Sequence, residues 1–145
     1  MNHLQKEYYR TSLLSINQKI TNGRGNIAKP ILMLAIIDLI EEGHVIGNKI
    51  RYDDKLISTY NRIFKCYSET ITLVQYPFYY MRNDEFYSIK GKTDKKTPSG
   101  KYIRENIEYA YLDDGLWELL QDKAVRKEFR ELIVNYYLKQ KTNSI

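Results

Sequence analysis

The stretch from Pro30 to Glu42 constrains this chain more than any other. Ile31, Leu32, Met33, Leu34, Ala35, Ile36, Ile37, Leu39 and Ile40 leave it almost no polar face. A helix that is apolar nearly all round must be enclosed by other elements. Pro30 is expected to be its first residue, because a missing N–H costs nothing where first-turn donors have no intrahelical acceptor. Gly43 is expected to end it. The apolar run from Pro30 to Ile37 falls far short of the roughly 20 residues of a membrane crossing, so the segment reads as the centre of a folded core.

Other segments supply what surrounds it. Tyr9, Leu13, Ile16 and Ile20 recur at helical steps within residues 3–20, making one apolar stripe. Thr21 to Asn26 is a glycine-bearing loop, and Val45 to Tyr52 suits a short strand. Asp53 is expected to cap a helix whose Leu56, Ile57, Tyr60, Ile63, Phe64 and Tyr67 share a face. An aromatic run, Val74 to Met81, contains Pro77 and is followed by Arg82-Asn83-Asp84-Glu85 and then Phe86 to Ile89. Two β-prone segments around an Asn/Asp turn predict a hairpin over residues 71–89, with Pro77 at a strand start or edge. Lys101 to Tyr109 reads as helical. Asp113 or Asp114 is expected to cap a short helix carrying Leu116, Trp117, Leu119 and Leu120. Asp122 then caps a last helix with Val125, Phe129, Leu132, Ile133 and Tyr136 at helical spacing. The order predicts an α+β fold: a mostly helical single domain over residues 1–138 with a small β-hairpin or sheet, winged-helix-like. Residues 139–145 read as a fraying tail.

The 145 residues carry a net charge of +5, which favours anionic partners. Lys90, Lys92, Lys95, Lys96, Lys101 and Arg104 stand against Asp94 alone, whereas Glu105 to Asp122 holds acids and no Lys or Arg. That split predicts a dipolar surface that binds on one face. The single cysteine, Cys66, excludes an internal disulfide and a multi-cysteine metal site; within an apolar helical region it reads as a buried, inert thiol. His44 reads as a loop residue. The Asp53-Asp54 and Asp113-Asp114 pairs have the chemistry for Mg²⁺, but each falls at an expected helix start, where capping accounts for it. With no nucleophile elbow, phosphate loop or metal-ligand spacing, neither enzymatic activity nor a metal or cofactor is expected. Met1 to Arg10 lacks the apolar core of a signal peptide, and a cytoplasmic protein is expected.

Binding chemistry is easier to find. Tyr76, Pro77, Phe78 and Tyr80 form an apolar ledge followed in sequence by the turn-rich basic segment that holds Lys92, Lys95, Lys96 and Lys101, with Arg104 beyond. That pairing suits a polyanion that also carries flat or poorly hydrated groups. Arg24 and Lys29 flank the loop before the core helix, whose free N–H groups make a phosphate site. The same rings also suit ordinary sheet packing, and the same lysines a solvated loop that protects a sheet edge.

Taken together, Ala28-Lys29-Pro30 through Glu41, then Tyr76-Pro77-Phe78, then Leu112-Asp113-Asp114-Gly115-Leu116-Trp117-Glu118-Leu119-Leu120 before a last amphipathic helix, resemble the sulfur-binding domain of phosphorothioation-dependent restriction endonucleases. The resemblance spans roughly residues 15 to 138. In those enzymes the domain docks on DNA in which sulfur replaces a non-bridging phosphate oxygen, and a separate HNH nuclease domain cuts. The resemblance implies that Tyr76 and Pro77 line the pocket for sulfur with the residue at 80 as a further wall, and that Lys29 contacts DNA. Ala28 stands where the family commonly has histidine, Tyr80 is bulkier than a small wall residue, and only Lys101 and Arg104 offer themselves for the family's arginine after the hairpin. No HNH motif follows, so a separate nuclease subunit is the partner that cutting would need, alongside double-stranded DNA. Tyrosine enrichment suits a protein-interaction subunit of a restriction system as an alternative; another is a winged-helix regulator of unmodified DNA.

Overall fold

The structure, a computed structural model, describes residues 3–18, 20–21 and 24–138, with the backbone alone for residues 20, 21, 24 and 25. Helix α1 (His3–Leu13) leads into a tight antiparallel pair, β1 (Ile20–Thr21) with β2 (Arg24–Gly25). Helix α2 (Ala28–Glu41) follows, with eleven of its residues buried. As the all-round apolar pattern requires, it runs through the middle of the core, touching α3 (Asp54–Lys65), α4 (Gln75–Tyr80) and α7 (Lys123–Ile133). The remaining elements are β3 (Tyr87–Gly91), α5 (Gly100–Asn106), β4 (Ile107–Leu112) and α6 (Asp114–Leu119). The chain is thus α+β and mostly helical with a small antiparallel sheet. Among the described residues no helix is long and apolar enough to cross a membrane.

Local signals account for many of these boundaries. Asp53 caps α3 by accepting from the Leu56 N–H at 2.9 Å, and Asp122 caps α7 through the Ala124 and Val125 N–H groups. Gly43, at φ +78°, closes α2 in the left-handed conformation expected of a C-terminal glycine. Helix α2 starts two residues earlier than Pro30. Asn26 Oδ1 accepts from the Ala28 N–H at 2.7 Å, and proline is as well tolerated third as first, since no first-turn N–H has a helical acceptor. Helix α1 stops at Leu13, short of residue 20, although Ile16 remains buried.

Four expectations are corrected. The hairpin over residues 71–89 does not form: Gln75–Tyr80 is helical, Met81–Asn83 is a 3₁₀ turn, and β3 pairs across a fifteen-residue gap with β4, Tyr87 opposite Leu112 and Lys90 opposite Tyr109. The β preference of Tyr and Phe is a packing preference, and here Phe78 and Tyr79 are fully buried in a helical turn that also accepts Pro77 near its start. Helix α5 ends at Asn106, and residues 107–109 belong to β4. At the chain's far end, Val134–Leu138 forms a π-helical turn. Its extra residue rotates the apolar stripe, so Tyr137 is buried and Tyr136 exposed. Cys66, lastly, is exposed at the C-terminus of α3, so it is no buried thiol.

The expected strand at 45–52 is reduced to two bridges. Ile46 faces Lys49 across a turn in which Gly47 and Asn48 take φ +63° and +57°, and Ile50 bonds Ala110 of β4 in both directions at 2.8 Å. Positive φ at both central residues is what a type I′ turn needs, and Gly and Asn are the residues that adopt it most readily.

Candidate functional site

The N-terminus of α2 opens beside one face of α4, and between them lies a cleft of about 410 Å³. Ala28 and Lys29 form one wall; Tyr76, Pro77 and Tyr80 form the other. Tyr76 and Tyr80 are one helical turn apart, so their rings come out of α4 on the same side, nearly parallel at 11° with centroids 6.5 Å apart. Asn17, Gln18, Asn26, Thr72 and Thr97 complete the rim. The Tyr60 hydroxyl fixes Thr72 by donating to its carbonyl at 2.7 Å, and the Gln18 side-chain amide fixes Asn26 likewise at 2.9 Å. The walls are therefore ring faces, a proline and an alanine, with the Lys29 side chain beside them. Polar groups sit at the edge.

Charge inside the cleft is already balanced. Lys29 Nζ donates to Asp84 Oδ2 at 2.9 Å, with side chains only 14% and 3% exposed. Asp84 Oδ1 accepts from the Asn17 N–H at 2.8 Å. A carboxylate taken out of water needs such partners, and Asp84 joins the segment before β1, the start of α2 and the turn after α4. Once Asn26 has taken the Ala28 N–H, the Lys29 N–H is the first-turn donor of α2 without a partner among the described residues. Beside it the helix dipole favours an anion.

The basic segment after β3, turn-rich in sequence, is fastened down. The Tyr79 hydroxyl donates to the Lys95 carbonyl and the Tyr80 hydroxyl to the Lys96 carbonyl, each at 2.5 Å. The Tyr102 hydroxyl donates to Asp94 Oδ1 at 2.5 Å, with the Lys92 carbonyl at 3.2 Å. That bond favours the carboxylate and the neutral phenol, which holds Asp94 below its ordinary pKa and Tyr102 above its own. Residues 92–99 thus form a strap along α4 and α5, with Pro98 buried and Thr97 at the cleft's edge.

The residues singled out in the sequence separate accordingly. Tyr76, Pro77, Tyr80 and Lys29 meet at the cleft. Phe78 does not: it is fully buried, edge-on to Tyr52 and Tyr87. The ammonium groups of Lys92, Lys95, Lys96 and Lys101 and the Arg104 guanidinium do not line it; Lys95 lies over Tyr102, and Arg104 over Tyr52. The side chain of Arg24 lies outside the described residues, as does the tail from residue 139. Asp53 spends one carboxylate oxygen on its cap and holds His44 Nε2 with the other at 2.9 Å. Asp113 occupies the N-cap position of α6 but gives its carboxylate to the Tyr9 hydroxyl at 3.2 Å; burial and that carboxylate push Tyr9 up to about 12. Among the described residues no three His, Cys, Asp or Glu side chains gather as a metal cluster would. Sequence reasoning missed Asp84, Asn17, Asn26, Thr72 and Thr97, because single polar residues in loops carry no periodicity. Asp84 reads there as a turn residue. No protein-family model matches this chain, and no curated protein matches it.

Proposed function

We propose that this chain is a non-catalytic DNA-binding module that takes up a phosphorothioate linkage of double-stranded DNA in the cleft between α2 and α4. The observation that carries the reading is that Tyr76, Pro77 and Tyr80 share one concavity with Lys29 and the N-terminus of α2. Sulfur is larger, more polarisable and more weakly hydrated than oxygen. An apolar wall therefore penalises the oxygen form, which gives up strong hydrogen bonds to water on entry. The Lys29 N–H, which has no partner among the described residues, and the helix dipole suit the negative charge of the same linkage. Ala28 keeps that wall apolar and uncharged. The cleft has room for far more than one sulfur atom, so the linkage would enter with its flanking sugars. The strap's lysines would meet neighbouring phosphates, which position the duplex without reading its sequence. Cutting would fall to a separate nuclease.

The test is a pair of duplexes differing in one sulfur, titrated at two salt concentrations. The sulfur duplex is expected to bind about tenfold tighter, and both affinities to fall as salt rises. Tyr76→Ala is expected to shrink the sulfur preference more than total binding. Equal affinity for the two duplexes would remove the sulfur reading, and no measurable binding at low salt would remove the DNA reading with it.

A further inference from the structure

A second surface, sharing no lining residue with the cleft, lies on the outer face of the small sheet. Side chains alternate across a strand. Ile50 and Ala110 pair directly and are both fully buried, which sends Lys49, Arg51, Tyr109 and Tyr111 to the opposite, outward face. Lys90 joins them from β3, opposite Tyr109. Lys49 Nζ, Arg51 Cζ and Lys90 Nζ lie 5.4, 5.8 and 5.8 Å from the centre of the Tyr109 ring. The Tyr111 ring is 6.1 Å away at 65° and 38% exposed. The turn that carries Lys49 is locked in place: the Asn48 amide donates to the Leu112 carbonyl at 2.7 Å and accepts from the Leu112 N–H at 2.9 Å. A hollow of about 630 Å³ lies between the turn and the strands, with Asp114 as the carboxylate on its rim.

Three cations crowd one ring, and none of them forms an ion pair with a carboxylate among the described residues. Their mutual repulsion is left for an outside anion to relieve. Aromatic rings beside unneutralised cations match a chain that alternates phosphates with flat bases. We infer that this face binds single-stranded nucleic acid, with unpaired bases on Tyr111 and Tyr109 and phosphates on Lys49, Arg51 and Lys90. A duplex offers the cations its phosphates but keeps its base faces stacked inside, so it meets only half of the surface.

The experiment is fluorescence anisotropy of the full chain with a short labelled oligothymidylate, an oligouridylate and a blunt duplex of equal length. At least one single strand is expected to bind about tenfold tighter than the duplex. Tyr111→Ala and Arg51→Glu are each expected to weaken it about fivefold or more, while Tyr76→Ala in the cleft leaves it unchanged. Preference for thymidylate or uridylate separates a DNA from an RNA ligand, and either supports the inference. Both substituted side chains are exposed, and a thermal melt confirms that each variant is folded. Duplex binding as tight as single-strand binding, no single-strand binding, or single-strand binding unaltered in both variants would overturn the inference.

Discussion

At Lys29 two roles meet in one side chain. Its ammonium lies at the cleft wall, yet it is also the counter-charge of Asp84, whose side chain is only 3% exposed. Replacing the lysine alone strands a buried carboxylate, so Lys29→Met is expected to destabilise the fold by about 3 kcal/mol. Adding Asp84→Asn keeps an oxygen for the Asn17 N–H and removes the charge, which should restore more than half of that loss in chemical denaturation. A loss that the second substitution does not restore would mean that Lys29 contributes through its packing instead. Binding at the cleft is for the same reason best compared between the double variant and the parent chain. The sequence marks Lys29 as basic and near a helix start. It cannot show the partner, since Asp84 is 55 residues away.

At the scale of elements, what was legible was what is locally encoded. The apolar continuity of Ile31 to Ile40, the caps at Asp53 and Asp122, and the stop at Gly43 are decided by neighbours in sequence, and each is found close to where it is expected. The Val74–Tyr80 run fails because aromatic residues serve a buried helix as well as a strand, and only the surrounding packing chooses between them. Strand β4 does carry a local signal: Tyr109 and Tyr111 alternate with Ala110 and Leu112 at period two. The cleft was half legible, through the residues of α4 and the start of α2. The strap was legible as a basic segment but not as a fixed one, because its anchors are hydroxyls reaching backbone carbonyls. Tyr79→Phe and Tyr80→Phe together keep both rings and remove both anchors. At about 1 kcal/mol per hydrogen bond, each loss is worth about fivefold in opening. Limited trypsin digestion should then cut after Lys95 or Lys96 at least several-fold faster than in the parent chain, and an unchanged rate would show that Pro98 and Tyr102 hold the strap unaided.

Over the whole molecule, the two ends of the described chain are tied across the core. Glu128 of α7 accepts from Lys6 at 2.7 Å and Arg10 at 2.9 Å, both on α1. Those cations, the Lys6 hydrogen bond foremost, hold the Glu128 carboxyl below its ordinary pKa. A depressed carboxylate stabilises the folded state above its unfolded value of about 4.3, and that contribution fades as pH falls through the lower, folded value. Glu128→Gln should therefore lower stability at neutral pH by less than about 1 kcal/mol, given its exposure, and the gap from the parent should close below about pH 4. A gap that stays constant with pH would assign the loss to packing. The same scale governs charge: the strap's lysines do not line the cleft and three further cations surround Tyr109, so the net +5 is not concentrated at the cleft.

The Tyr79 and Tyr80 anchors reach only main-chain oxygens, so they are indifferent to which side chains stand at positions 95 and 96. Lysine, glutamate or serine at positions 95 and 96 would leave the trace of that segment as it is while reversing or erasing the field it projects. Affinity for a polyanion can therefore drift or be tuned there without a folding penalty, and replacement of both lysines by glutamate should leave the melting temperature nearly unmoved.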